Sequence, residues 1–209
     1  MTHNTVSKTA PGKLFLIGEY AVLEGAPAIL VALPQLATAT IKHDDNETLT
    51  LLGESEKIDR LPEAVSNTPL LEAVLESLEL QGLSVNLEGV SITLDTQAFH
   101  REGKKLGFGS SAALTVALVD ALVPDLDNIA LYKIAQQCHL KLQNGFGSGA
   151  DIALSAMRQS IVFQQNQLPS PIRLPSDLAM LAIWTGQPAS SKAYLLALSR
   201  WQATQAKPY

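Results

Sequence analysis

Residues 104–113 read Lys-Lys-Leu-Gly-Phe-Gly-Ser-Ser-Ala-Ala, and a stretch rich in alanine, leucine and valine follows directly. This pattern predicts a glycine-rich turn that runs into the start of a helix, and the two glycines let the backbone approach a ligand closely. A helix start offers unpaired N–H groups and the positive end of the helix dipole, so it favours an anion such as a phosphate. The alternative is a tight turn with a serine cap, in which Lys104 and Lys105 are simply solvated.

Two other nucleotide-binding patterns fit this segment less well. Gly107-x-Gly109-x-x-Ala112 matches the alanine variant of the dinucleotide fingerprint, with Asp127 at a suitable distance beyond it. That fingerprint follows a buried strand, whereas residues 101–105 are highly charged. The P-loop pattern is excluded because neither Gly12-Lys13 nor Gly103-Lys104 is followed by serine or threonine.

A second glycine- and serine-rich segment, Gly145-Phe-Gly-Ser-Gly-Ala-Asp151, also leads into a predicted helix. It fits an ordinary helix start in which Asp151 interacts favourably with the helix dipole. Two such loops in one chain, one beside lysines and one beside a carboxylate, also supply what phosphoryl transfer requires. Those parts are a cradle for charge, a cation, and a group that positions or deprotonates the attacking hydroxyl.

The composition narrows the range of partners. The net charge of −5 disfavours nucleic acid. Cys138 is the only cysteine, which excludes an internal disulfide and fits a reducing compartment. The polar N-terminus lacks the apolar core of a signal peptide, and the longest uncharged apolar run, residues 26–34, is too short to cross a membrane. We therefore expect a cytoplasmic protein with no membrane or nucleic-acid partner.

Apolar periodicity and turn residues predict a mixture of helices and strands. Helices are predicted over residues 69–80, 111–122, 128–143 and 151–157, with Thr68 and Asp127 as the caps of the first and third. Strands are predicted over residues 13–17, 28–33, 36–41, 48–52, 160–163 and 178–184, and residues 84–96 are predicted as two strands hinged at Gly89. A last helix is predicted over residues 190–206.

Three prolines between Leu168 and Pro175 predict a connection between two domains. This divides the chain into a first domain over residues 1–170 and a second piece over residues 171–209. The strand and helix beyond the prolines make up only about thirty residues, fewer than the roughly 40 that a lone unit needs to fold unaided, so we expect them to be the start of a domain whose remainder is absent. Its apolar strand and helix then have to pack on the first domain or against another copy, which makes a homodimer one expected arrangement.

A third segment, from Ala10 to Val22, contains Pro-Gly-Lys followed by Gly-Glu-Tyr-Ala-Val. Taken in their order along the chain, the three segments resemble the motifs of the galactokinase, homoserine kinase, mevalonate kinase and phosphomevalonate kinase (GHMP) superfamily. Two stretches are more similar to phosphomevalonate kinases than to mevalonate kinases: Gly-Glu-Tyr, and Trp-Thr-Gly-Gln-Pro-Ala-Ser-Ser at residues 184–191. Mevalonate kinases favour histidine after the glutamate. The joint resemblance covers nearly the whole chain.

The resemblance implies an α+β fold in two parts: a mixed-sheet N-terminal domain that binds ATP, and an incomplete ferredoxin-like C-terminal domain. It implies Asp151 as the catalytic carboxylate that accepts or orients the substrate proton, with Lys13 as the cation that keeps it ionised. It also implies that Ser110 or Ser111 reaches Mg²⁺. The implied ATP-binding residues are Lys105, Gly107, Gly109, Ser110, Ser111 and Ala112, and the implied acceptor-binding residues are Glu19, Lys104, Ser148, Gly149, Ser190 and Ser191.

The implied activity is ATP-dependent phosphorylation of a small isoprenoid precursor, in which phosphomevalonate becomes diphosphomevalonate. Mevalonate kinase is the alternative activity. The chain departs from the family pattern in two respects. Residues 138–143 lack the glutamate that mevalonate kinases use there for magnesium, and the glycine-rich third motif does not occur up to residue 209. A truncated nucleotide-binding remnant without turnover is therefore a further alternative.

Overall fold

The computed structural model describes residues 5–53 and 55–186, together with residues 197, 200, 201 and 204. Its strands are β1 (Thr5–Ile17), β2 (Ala28–His43), β3 (Thr48–Leu52), β4 (Glu56–Arg60), β5 (Val90–Asp95), β6 (His100–Arg101), β7 (Lys104–Lys105), β8 (Ile161–Phe163) and β9 (Ser170–Pro171). Its helices are α1 (Leu61–Asn67), α2 (Pro69–Leu80), α3 (Ser110–Leu122), α4 (Asn128–Leu142) and α5 (Ala150–Met157). Short 3₁₀ helices lie at Ala21–Glu24 and Gln97–Phe99. The predicted α+β class is confirmed.

Seven of these strands form one mixed sheet with β2 at its centre. β1 pairs antiparallel with one edge of β2, and β5 and β8 pair antiparallel with the two ends of its other edge. β3 is parallel to β5 and antiparallel to β4, while β9 is antiparallel to β8. β6 and β7 form a separate hairpin. The sheet is therefore mixed, as expected for the N-terminal domain.

β2 is one continuous strand where two were predicted, at residues 28–33 and 36–41. The predicted break contains Pro34, which has no N–H group to donate to a neighbouring strand. The pairing register of β1 shifts opposite this point, between Pro11 and Lys13. A local bulge of this kind accommodates a residue that cannot join the ladder, so the strand continues past its proline.

α3 is the central helix of the layer that covers the sheet. It packs against β1 and β2 as well as against α4 and α5, and most of its side chains are buried. This follows from its sequence, because a helix that is apolar on all sides is stable only when surrounded by protein. α2 packs on α4, and α5 packs on β1. In the described part of the chain no helix combines the length and the hydropathy of a membrane span.

The four helices predicted between residues 69 and 157 are present, with boundaries that agree to within one residue. Asp127 caps α4 as predicted, since its Oδ1 accepts hydrogen bonds from the N–H groups of Ile129 and Ala130 at 2.9 and 2.8 Å. The predicted Thr68 cap is wrong, because its side chain makes no capping hydrogen bond. Thr68 lies at the junction where α1 ends and α2 begins, and its N–H group is bonded to the carbonyl oxygen of Val65.

Two predicted strands are wrong. Residues 84–89 form no strand, since the Oδ1 of Asn86 accepts the N–H of Glu88 in a local turn, and only Val90–Asp95 pairs in the sheet. Residues 178–184 pair with no strand in the part of the chain that the structure describes, and Leu181 and Ile183 are 85% and 80% exposed. These two side chains therefore do not pack on the first domain. Their packing against another copy of the chain stays a prediction.

The predicted boundary between residues 170 and 171 falls within β9, which pairs with β8 of the main sheet. The division into two domains stays a prediction. In the range predicted as the last helix, residues 197, 200, 201 and 204 are helical, and Thr204 Oγ1 donates a hydrogen bond to the Trp201 carbonyl. The remaining residues of that range lie outside the described part of the chain.

A buried carboxylate near the C-terminal end of α3 joins this helix to neighbouring elements. Asp120 is only 4% exposed. It accepts a hydrogen bond from the guanidinium of Arg158, directly after α5, and its Oδ1 lies 3.4 Å from the Nζ of Lys8 on β1. Arg158 also donates from Nε to the carbonyl oxygen of Thr9 at 3.4 Å. One ion-pair network thus joins α3, the end of α5 and β1.

Replacing Asp120 by alanine is expected to lower the free energy of unfolding by about 1–3 kcal/mol, because Arg158 loses a hydrogen-bonded partner and Lys8 loses its ion-pair partner. Arg101→Ala is the matched control, since Arg101 and Glu102 form an exposed pair at 3.9 Å whose loss should change stability by less than about 0.5 kcal/mol. Urea denaturation of both variants measures the difference. Equal midpoints for the two variants would contradict a stabilising role for the network.

Candidate active site

The glycine-rich turn before α3 adopts the conformation that the sequence predicts. Gly107 and Gly109 have φ angles of +82° and +77°, a region that other residues rarely occupy. Gly109 is the N-cap of α3, and no side chain caps the helix there. The first N–H groups of α3 therefore lack a side-chain acceptor and can bind an anion. Ser110 is buried, whereas Ser111 is partly exposed.

The first motif packs directly on this turn. The N–H of Lys13 donates a hydrogen bond of 2.8 Å to the carbonyl oxygen of Phe108. The aliphatic part of the Lys13 side chain passes Gly109 so closely that a Cβ atom on Gly109 would lie 3.1 Å from Lys13 Cγ. The Lys13 ammonium lies 4.6 Å from the centroid of the Phe15 ring, within range of a cation–π interaction. The structure thus brings Lys13 to the turn before α3.

The turn before α5 differs from the turn before α3, because its own side chains occupy the helix start. Ser148 Oγ accepts the N–H of Ala150 at 3.3 Å, and Asp151 Oδ1 accepts the N–H of Ile152 at 3.0 Å. These contacts hold the carboxylate in the first turn of α5. The helix start before α3 therefore suits a phosphate, while the one before α5 presents a carboxylate.

Two contacts link α5 to the first motif and to α3. Ser155 Oγ donates a hydrogen bond of 2.9 Å to the carbonyl oxygen of Pro11, and both residues are buried. His139 on α4 approaches the start of α3, since its Nε2 is 3.4 Å from Ser111 Oγ, and both α3 and α4 pack on α5. The three motifs therefore converge in space as well as in sequence order.

His139 is a site residue that the sequence analysis did not identify. It is 3% exposed. Burial lowers the pKa of the His139 imidazole, and the Asp151 carboxylate raises that pKa by a smaller amount. A histidine whose pKa lies below its usual value is neutral at pH 7, so one ring nitrogen is free to accept a hydrogen bond.

The other predicted site residues lie on the hairpin, the turns and the helix starts around these motifs. Lys104 and Lys105 form the exposed strand β7 of the hairpin that precedes the turn. Glu19 is exposed and follows Gly18, whose φ of +88° starts a tight turn. Gly149 is the N-cap of α5, and Ala112 lies buried in the first turn of α3. Ser190 and Ser191 lie outside the described residues.

The donors at this site fit magnesium only in combination with a nucleotide. No group of three or more histidine, cysteine, aspartate or glutamate side chains in the described residues is arranged to hold a metal ion. A serine hydroxyl and a carboxylate are the oxygen ligands that Mg²⁺ prefers, and this ion commonly takes its other ligands from substrate phosphates and water. Ser111 suits this role better than the buried Ser110 because part of Ser111 is exposed.

The chain is similar in sequence to kinases of two related kinds. The phosphomevalonate kinase of Streptomyces sp. (strain CL190) is 28% identical over 94% of this chain and 66% of the relative. That of Saccharolobus solfataricus is 32% identical over 77% of this chain and 49% of the relative. The mevalonate kinase of Archaeoglobus fulgidus is 30% identical over 76% of this chain and 53% of the relative. The chain thus spans about half to two thirds of the length of these three relatives.

A solved structure with the same fold is that of Streptococcus pneumoniae phosphomevalonate kinase in complex with phosphomevalonate and AMPPNP. It superposes with a TM-score of 0.63 at 26% identity, over 77% of this chain and 50% of that chain. The family pattern described as GHMP kinases N terminal domain matches residues 69–159, which include both helix starts of the site. The chain therefore contains a GHMP kinase N-terminal domain.

Proposed function

We propose that this chain binds ATP at the turn before α3 and transfers its γ-phosphoryl group to phosphomevalonate, giving diphosphomevalonate and ADP. The observation that carries the proposal is the pairing of an uncapped helix start, at Gly109, with a helix start that presents a carboxylate, at Asp151. The likeness to phosphomevalonate kinases supports the choice of acceptor.

In this proposal the chain contributes charge and position. The N–H groups at the start of α3 hold the phosphates, and the Lys13 ammonium balances the charge that develops on the transferred group. Asp151 orients the acceptor and takes up its proton where it has one. An acceptor oxygen then forms a bond to the γ-phosphorus while the bond to the β-phosphate oxygen breaks, and ADP leaves with that electron pair.

Magnesium would be held by Ser111 and the nucleotide phosphates, and when bound it neutralises phosphate charge. Lys104, Glu19, Ser148, Gly149, Ser190 and Ser191 are proposed contacts of the acceptor, and Lys105 is a proposed contact of ATP. The phosphate of phosphomevalonate needs a cation, and Lys104 is an exposed lysine on the hairpin that leads into the turn.

The proposal is tested by measuring ADP release by the purified 209-residue chain in MgATP with phosphomevalonate, mevalonate or diphosphomevalonate as the acceptor. ADP release that requires phosphomevalonate is the expected result. Release with mevalonate instead would favour mevalonate kinase, an alternative supported by the relative from Archaeoglobus fulgidus. Calorimetry with ATP completes the experiment: binding without turnover would favour a nucleotide-binding module, and no binding would reject both nucleotide functions.

Replacing Gly109 by alanine is expected to weaken ATP binding at least about ten-fold. Alanine at a φ of +77° is strained by about 1 kcal/mol, and its Cβ would also lie 3.1 Å from Lys13 Cγ, so that the Lys13 side chain would have to shift. Calorimetric titration with ATP measures the loss.

The matched control for this substitution is Gly82→Ala, just after α2. Gly82 has a similar φ of +74°, but a Cβ there would meet nothing within 4 Å. The control therefore carries the same backbone strain without disturbing Lys13, and it should bind ATP like the wild type. Equal ATP affinities for the two variants would contradict the assignment of the turn before α3 as the phosphate site.

A further inference from the structure

His139 is a buried polar side chain to which the proposed mechanism gives no role. It lies in the buried face of α4 formed with Leu131, Ala135 and Cys138, where an apolar residue would cost less to bury. Its Nε2 is directed at the hydroxyl of Ser111, 3.4 Å away on the neighbouring helix, at the long end of the hydrogen-bond range. The buried His139 ring therefore has a specific polar partner, the Ser111 hydroxyl in the first turn of α3.

The backbone of Ser111 is held independently of this contact. Its carbonyl oxygen accepts a 2.9 Å hydrogen bond from Thr115 Oγ1, one turn along α3, and Thr115 is fully buried. The main chain is thus fixed by α3 itself, and the open question is where the Ser111 hydroxyl proton points. A hydroxyl has one proton and two lone pairs, so the partner that takes the proton decides what the oxygen offers to a ligand.

We propose that His139 is a positioning residue: its Nε2 accepts the Ser111 proton, which leaves the lone pairs of Ser111 Oγ directed towards a cation bound with the nucleotide phosphates. This inference rests on the proposed function for the nucleotide and concerns only the chain's own hydrogen bond. The alternative tautomer, with the proton on Nε2, would make His139 the donor and turn the Ser111 proton towards the phosphates. The two tautomers thus assign Ser111 opposite roles.

Nitrogen-15 NMR of the nucleotide-free chain at pH 7 tests the hydrogen bond directly. The expected spectrum for His139 is that of a neutral ring with the proton on Nδ1 and an unprotonated Nε2. Ser111→Ala should change the Nε2 shift of His139 and leave the ring of His100, which bonds the Thr96 carbonyl oxygen, unchanged. A ring protonated on Nε2 would overturn the proposal.

A second experiment compares ATP affinities with Mg²⁺ and with EDTA, using calorimetry. His139→Leu and Ser111→Ala should each reduce the gain in affinity that Mg²⁺ provides by about ten-fold, the value of one hydrogen bond to a ligand-binding group. The double variant should lose no more than either single one, because the two residues act as a unit. His139→Gln should keep most of the gain, since its amide oxygen can accept the same proton.

The controls separate this inference from the proposed function. His100→Leu removes a histidine outside the site and should keep the full Mg²⁺ gain, while thermal unfolding checks that each variant is folded. A full gain in His139→Leu, or losses that multiply in the double variant, would overturn the role of His139. Absence of ATP binding by the wild type would instead overturn the proposed function, and the NMR result would still decide the hydrogen bond.

Discussion

Asp151→Asn is expected to lower kcat for phosphoryl transfer by about 10²–10⁴-fold, the contribution of a side chain that takes up or orients a proton in the transition state. Asparagine keeps the size of the side chain, and its amide oxygen can still accept the N–H of Ile152, so the start of α5 should stay intact. ATP affinity should change little, because the proposed phosphate site is at the start of α3. Single-turnover ADP release and ATP calorimetry on the same samples measure the two quantities.

The size of this effect depends on the acceptor. A phosphate monoester has a second pKa of about 6, so the attacking oxygen of phosphomevalonate is largely deprotonated above pH 7. An alcohol acceptor retains its proton and needs a base throughout the pH range. We therefore expect the smaller losses with phosphomevalonate and the larger ones with mevalonate. Wild-type turnover in Asp151→Asn with every acceptor would reject Asp151 as the catalytic carboxylate.

The helix start before α3 was predictable because local physics determines it. Two glycines are needed for the positive φ angles at residues 107 and 109, and the apolar run that follows has only one stable environment, the core between sheet and helices. Asp127 was predictable as a cap for the same reason, since a short carboxylate before a helix reaches its first N–H groups. These features need no knowledge of distant residues.

Features that depend on distant partners were missed. The strands at Ala28–Leu33 and Leu36–Ile41 merge because β1 shifts its register opposite Pro34, and no local pattern carries that information. β4 is a highly charged edge strand, Glu56–Arg60, and its composition hides it from a search for apolar alternation. Residues 178–184 are a short apolar run typical of a buried strand, but they pair with no strand among the described residues.

His139 shows how part of the site could have been found. Leu131, Ala135 and His139 recur at helical spacing, so the sequence places a titratable residue on the buried face of α4. A buried histidine in such a stripe needs a polar partner, and that requirement was a usable signal. The identity of that partner could not be predicted, because Ser111 is 28 residues away along the chain and approaches His139 only through the packing of α3 on α4.

Lys13→Met is expected to lower kcat by about 10²–10³-fold, the cost of removing one preorganised charge from the transition state. Methionine keeps the unbranched stem that passes Gly109 and rests near Phe15, so the turn before α3 should keep its shape. Lys42→Met is the control, because it removes the same charge from the far end of the β1–β2 pair, about 30 Å along the strand. That variant should turn over like the wild type.

The double variant Lys13→Met/Asp151→Asn tests whether the ammonium and the carboxylate work together. If Lys13 and Asp151 act as a unit, removing both should cost little more than removing one, since the effects of such groups are strongly non-additive. If Lys13 acts only on the phosphate charge, the two losses should multiply. The Lys13 N–H bonds the Phe108 carbonyl oxygen and the Lys13 side chain passes Gly109, so Lys13 lies at the turn before α3. Pro11, on the same strand, is bonded to Ser155 of α5. Because one strand connects to both helix starts, we expect the non-additive result, and multiplied losses would separate the two roles.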